Sequence, residues 1–101
     1  MGLLSKLFGF DGDKEKAVDA LNRGAAIIDV RTKAEFASAH VFGALNIPLE
    51  ELPDNMELIK ELNKEIVVCC ASGNRSSSAV FLIGKFTDAN VYDAGAWTNL
   101  K

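Results

Sequence analysis

Cys70 and Arg75 are the two residues whose types and spacing most directly suggest chemistry. A thiol and a guanidinium are separated by Ala71, Ser72, Gly73 and Asn74, and Ser76 follows. An apolar run, Ile66 to Cys69, precedes the pair, and a helical pattern, Ser76 to Phe86, follows it. The thiol is therefore expected at the carboxyl end of a strand and the arginine at the mouth of a helix. Open α/β sheets bind ligands at that edge. The first N–H groups of a helix have no intrahelical partners and carry partial positive charge. A thiol held there ionises more readily and can act as a nucleophile or carry an anionic sulfur adduct. Gly73 permits backbone angles that a side chain would forbid. Arg75, the only cation in the loop, adds a fixed charge with a planar fork of donors. Side chains alternate along a strand, so Cys69 faces away from Cys70 and is read as core.

Several elements must position this loop. Asp13 is expected to cap a helix over Lys14 to Arg23, ended by Gly24. Ala26 to Val30 is a short apolar run that suits a buried strand. Thr32-Lys33-Ala34-Glu35 is a capping box, so a helix should start at Thr32 and reach about His40. Ala44 to Ile47 reads as a brief strand stopped by Pro48, and Leu58, Ile59 and Leu62 mark a helix between Pro53 and Asn63. Ile66 to Cys70 is the clearest strand. Asn90 to Asp93 reads as the last one, before Gly95, Trp97 and a short terminal helix. Strands alternating with helices give an α/β fold: a small, mainly parallel sheet of about four to five strands, flanked by helices on both faces. A fifth strand would come from Lys6 to Phe10, and residues 1–12 otherwise read as an irregular or edge element.

Composition narrows the function classes. With 101 residues, 49% hydrophobic and 25% charged, the expectation for 1–101 is a single domain with one ordinary core. The net charge of −3 and absence of a basic stripe argue against nucleic acid as a partner. The only two cysteines are adjacent, which does not suit a disulfide scaffold, and the single histidine, His40, belongs to no cluster with zinc spacing. No metal or organic cofactor is expected. No apolar run reaches the length of a membrane span. Met1 to Phe10 is apolar but interrupted by Lys6 and lacks the layout of a signal peptide, and Ser5 lies one place too early for myristoylation. The expected location is cytoplasmic.

Three blocks, in this order and spacing, resemble the rhodanese-like family of sulfurtransferases. They are Ile27-Ile28-Asp29-Val30-Arg31 with Glu35-Phe36; His40-Val41-Phe42-Gly43-Ala44 leading to Asn46-Ile47-Pro48; and Ile66-Val67-Val68 running into Cys70-Ala71-Ser72-Gly73-Asn74-Arg75-Ser76. Val91-Tyr92 with Gly95 and Trp97 adds a weaker fourth. The resemblance spans roughly residues 14 to 100. Ala39 stands where the family usually has glycine, and Gly95-Ala96 where it has a glycine pair. The resemblance implies that Cys70 takes a sulfane sulfur from a donor such as thiosulfate or a persulfide. Cys70 would hold it as a persulfide within the loop Ala71 to Ser76 and pass it to cyanide, a thiol or a protein acceptor. Asp29 and Arg31, at the end of the neighbouring strand, are read as an ion pair or brace behind the loop, with Glu35 as the partner of Arg31. His40 is read as a hydrogen-bonded structural residue. Trp97 and Phe42 suit either the pocket or the packing.

Two other function classes use related features. Counted from Cys69, the loop to Arg75 has the length of the phosphatase and arsenate reductase loop, which suits a tetrahedral oxyanion. That pattern usually places glycine three residues after its cysteine and histidine before it. Here those positions are Ser72 and Val68, whereas Gly73 falls three residues after Cys70. The register from Cys70 is therefore preferred. A non-enzymatic sulfur-carrier or binding module is the third class, and the intact Cys70 and Arg75 argue against it.

Overall fold

Four short strands set the architecture, and the central ones are apolar enough to be covered on both sides. The computed structural model describes residues 11–101. In chain order the elements are α1 (Asp11–Asn22), β1 (Ala26–Asp29), α2 (Lys33–Ser38), β2 (Leu45–Asn46), a 3-10 segment (Leu49–Asn55), α3 (Met56–Leu62), β3 (Ile66–Cys70), α4 (Asn74–Phe86), β4 (Val91–Ala96) and a 3-10 turn (Trp97–Leu100). All pairings among the described strands are parallel, and the sheet order is β2-β1-β3-β4. The expected strand near Lys6 to Phe10 lies outside the described residues.

Strand alternation divides the core in two. Ile28, Val30, Ile66, Val68 and Cys70 face a layer built from Leu52, Met56, Ile59, Ala79 and Ile83, contributed by the 3-10 segment, α3 and α4. Ile27, Val67 and Cys69 face the opposite way, against Ala17 and Ala20 of α1, with Trp97 and Leu100 packed alongside. Helices therefore cover both faces, and the two adjacent cysteines belong to different cores. The small side chains of α1 at this contact allow that helix to lie close to the sheet.

The order of the strands also fixes where a ligand can go. After β1 the chain moves outward to β2, then returns to place β3 on the other side of β1. The carboxyl ends of β1 and β3 thus border the point where the winding reverses, the usual ligand crevice of an open α/β sheet. Asp29 ends β1 and Cys70 ends β3.

Several boundaries depart from the sequence expectation, among them that of α2, which ends at Ser38 rather than near His40. Helix α1 begins at Asp11, so Asp13 lies within it. Helix α4 begins at Asn74 rather than Ser76. Gly73 turns the chain directly into the helix with φ 107°, a conformation only glycine adopts cheaply. The expected loop from Ala71 to Ser76 is therefore a three-residue turn followed by the first turn of α4. Strand β4 runs on to Ala96 through a bulge opposite Val68/Cys69. The Asp93 carboxylate holds that bulge by accepting from the Gly95 N–H at 2.9 Å.

Candidate functional site

The turn after β3 closes onto its own sulfur. The Gly73 N–H donates to Cys70 Sγ at 2.9 Å. Burial pushes the Cys70 thiol up. Hydrogen bonds from the Ser76 hydroxyl and from the Ser76, Gly73 and Ser72 N–H groups outweigh that and bring it below its ordinary value. The Ser76 hydroxyl is buried and also lies 3.1 Å from the Gly73 carbonyl. It carries a single proton, so it can serve either the carbonyl or an ionised sulfur. The chemistry available here is a nucleophilic thiolate whose negative charge is met by backbone donors at a helix amino terminus. Ala71, Ser72 and Asn74 are exposed at the rim.

Cys69 has the opposite environment. Burial, reinforced by the nearby Asp29 carboxylate, pushes its thiol up to about 12, against a smaller lowering by Arg31. Its side chain belongs to the α1 layer, away from the turn that converges on Cys70.

Two arginines lie near the crevice, and the ion pair expected between Asp29 and Arg31 forms, whereas the expected pairing of Arg31 with Glu35 does not. Arg31 does not pair with the Glu35 carboxylate. Its Nε and a terminal nitrogen reach Asp29 at 2.8 to 3.0 Å, and its backbone N–H donates to the same carboxylate. The guanidinium also donates to the carbonyls of Ala39, at 2.7 Å, and Glu35, at 3.4 Å, and stacks 4.6 Å from the Trp97 ring centre. Asp29 and Arg31 are both buried. Together they brace the end of β1 against the end of α2 and the terminal turn. The Asn46 amide extends the brace by donating to the carbonyls of Asp29 and Arg31.

Glu35 instead takes Arg75. The two guanidinium nitrogens of Arg75 reach the two carboxylate oxygens at 2.8 and 3.1 Å, a bidentate pair. Glu35 also completes the capping box of α2. Its carboxylate accepts from the Thr32 N–H at 2.8 Å while its own N–H donates to Thr32 Oγ1 at 3.1 Å. Arg75, followed by the cap, holds the Glu35 carboxyl down at about 2. The Arg75 guanidinium is raised in turn, first by Glu35, against burial, and further by ionised Cys70. The only cation in the loop is thus neutralised by a residue 40 positions away. Sequence alone gave no signal for that pairing; the capping box announced only that Glu35 sits in the first turn of α2.

His40 stacks on Phe36 at 3.8 Å between ring centres, with Nδ1 2.7 Å from the Phe36 carbonyl, which is a structural placement. Phe42 is 98% exposed and contributes to neither core nor crevice. Among the described residues no cluster of His, Cys, Asp and Glu could hold a metal ion, and no helix is long and apolar enough to cross a membrane.

Comparison with known proteins converges on one family. A family model described as "Rhodanese-like domain" matches residues 13–98. The thiosulfate sulfurtransferase GlpE of Stutzerimonas stutzeri is 31% identical over 83 residues, covering 80% of this chain and 75% of that protein. The human single-domain sulfurtransferase TSTD1 superposes with a TM-score of 0.66 at 29% identity, over 85% of this chain and 89% of that one. A rhodanese-related protein of Thermoplasma volcanium gives 0.69 at 27% identity, over 81% and 82% of the two chains.

Proposed function

The chain belongs to the rhodanese-like domain family and is a rhodanese-type sulfurtransferase, and from that premise we propose that Cys70 carries the transferred sulfur as a persulfide. The Cys70 thiolate attacks the outer, sulfane sulfur of a donor such as thiosulfate. A bond forms between Cys70 Sγ and that sulfur, the donor S–S bond breaks, and sulfite leaves with the bonding electron pair. The acceptor, cyanide or a thiolate, then attacks the terminal sulfur and releases the Cys70 thiolate. Charge and electrons balance in both steps without an external redox partner.

The observation that carries this reading is the turn closing on Cys70, with the Gly73 N–H at 2.9 Å from the sulfur. Donors directed at the thiolate lie one S–S bond from the outer, charged sulfur of a persulfide and favour that negative charge as well. The longer register, from Cys69, draws no such support, because that thiol faces the α1 core and resists ionisation. The reading takes the chain as one domain acting in the cytoplasm on a small-molecule donor, with a small thiol or a protein as acceptor. The test is cyanide-dependent thiocyanate formation by two variants. Cys70→Ser should abolish it, and Cys69→Ser should retain much of it. An active Cys70→Ser with an inactive Cys69→Ser would reverse the assignment.

A further inference from the structure

Transfer to Cys70 from thiosulfate brings a thiolate against a dianion. Among the residues described at the crevice, the charges cancel. Asp29 and Arg31 neutralise each other in a buried pair. Arg75, in the first turn of α4, is held bidentately by Glu35. Backbone N–H groups are left as the uncompensated positive partial charges near the sulfur. The Arg75–Glu35 pair is neither deeply buried nor fully exposed, with side chains 33% and 37% accessible, so its field reaches the rim without being erased by solvent.

We propose that Glu35 is a positioning residue that sets donor selectivity by neutralising Arg75, so that the site favours donors of low negative charge, such as organic persulfides, over the thiosulfate dianion. This rests on the reading of Cys70 as the sulfur carrier. Glu35 is suited to the role because the α2 capping box pins its carboxylate from the other side, through the Thr32 N–H at 2.8 Å. Arg75 therefore pairs with an anchored partner rather than a mobile surface carboxylate.

The size of the effect follows from one unit charge. For a charge acting over a distance on the order of 8 Å at an effective dielectric of about 60, its removal changes the encounter about threefold per unit of ligand charge. Relative to a neutral reagent, the expectation is about threefold for a monoanion and about tenfold for a dianion, both shrinking as salt is added.

Glu35→Gln is the informative variant, since its amide oxygen still accepts from the Thr32 N–H while the charge is gone. The experiment compares alkylation of Cys70 by iodoacetamide and iodoacetate, located by peptide mass, alongside kcat and KM for thiosulfate. The ratio of the two alkylation rates cancels any opening of the turn that both reagents need. In Glu35→Gln the iodoacetate-to-iodoacetamide ratio should rise about threefold and KM for thiosulfate fall with kcat little changed. Glu35→Asp, which keeps the charge, should restore the wild-type ratio. Arg75→Ala should lower the ratio, and Thr32→Ala, which weakens the cap alone, should cost stability and leave the ratio unmoved. If Cys70 is labelled and accepts sulfur but the ratio is the same in Glu35→Gln as in wild type, the selectivity role is overturned and the persulfide reading stands. If neither reagent labels Cys70 and it takes up no sulfur, both are overturned.

Discussion

Gly73→Ala separates the conformational and chemical duties of the turn. Gly73 has φ 107° and ψ −17°. A Cβ built there meets only the Gly95 Cα, at 3.9 Å, an ordinary contact. The cost is therefore backbone strain rather than collision. Holding a non-glycine residue in such a region costs about 1 to 3 kcal/mol. For a domain of this size each kcal/mol moves Tm by about 4 to 8 °C, so a turn that keeps its shape should lose roughly 5 to 20 °C. A turn that relaxes instead recovers part of that stability but swings the Gly73 N–H away from Cys70 Sγ. The thiol then loses a donor and its pKa rises towards the ordinary cysteine value. Thermal unfolding by circular dichroism, paired with ultraviolet titration of the thiolate, reads both losses in one sample. Gly73→Asn should suffer less than Gly73→Ala, because asparagine tolerates the left-handed region better. Wild-type Tm together with a wild-type thiolate pKa in Gly73→Ala would refute the argument that this glycine shapes the sulfur site.

Asp29→Asn should be among the most destabilising single changes, at about 3 to 5 kcal/mol by urea unfolding, because it leaves the Arg31 charge buried beneath Trp97 without its counterion. Acid should weaken the two surface carboxylate pairs, Glu35 with Arg75 and Glu65 with Arg23 and Tyr92. Their folded-state values are depressed from 4.5 to about 2, so their contribution is complete above 4.5 and lost as pH falls through about 2. Solvent screening keeps that contribution small. Glu65→Gln should reduce the fall in urea midpoint across this window, and an unchanged slope would contradict the linkage. At alkaline pH the Cys69 thiol, pushed up to about 12, favours the neutral folded form. Its contribution is complete below the ordinary 9.0 and lost as pH rises through about 12, so Cys69→Ala should flatten the alkaline loss of stability.

What could be read from the sequence was what depends on neighbours in the chain. The capping box at Thr32 and Glu35, the alternation that parts Cys69 from Cys70, and the strand-turn-helix run around Gly73 are all local patterns. The structure realises each, with α4 starting two residues early because Gly73 completes the turn alone. The partners of the arginines were legible only in part, since the pair of Arg31 with Asp29 was expected and that of Arg75 with Glu35 was not. Arg31 had two carboxylates within a few residues, Asp29 and Glu35, and spacing could not choose between them. The choice is made by α2, whose start turns the Glu35 side chain towards α4 and leaves Asp29 facing Arg31 at the end of β1. The bulge in β4 and the seat of Trp97 over Arg31 likewise depend on elements far apart in sequence. The exposure of Phe42 was equally hidden, since an aromatic residue in a turn reads as pocket or packing until the chain is folded.

Where the transferred sulfur goes is read most directly by mass. The protein is incubated with thiosulfate or a small organic persulfide, freed of excess donor, and measured by intact mass and by peptide mapping without reductant. The predicted result is a gain of about one sulfur atom, 32 Da, on the peptide containing Cys69 and Cys70, retained in Cys69→Ser, absent in Cys70→Ser, and removed by cyanide. A sulfur that persists in Cys70→Ser and disappears in Cys69→Ser, or no mass gain with either donor on folded protein, would contradict it.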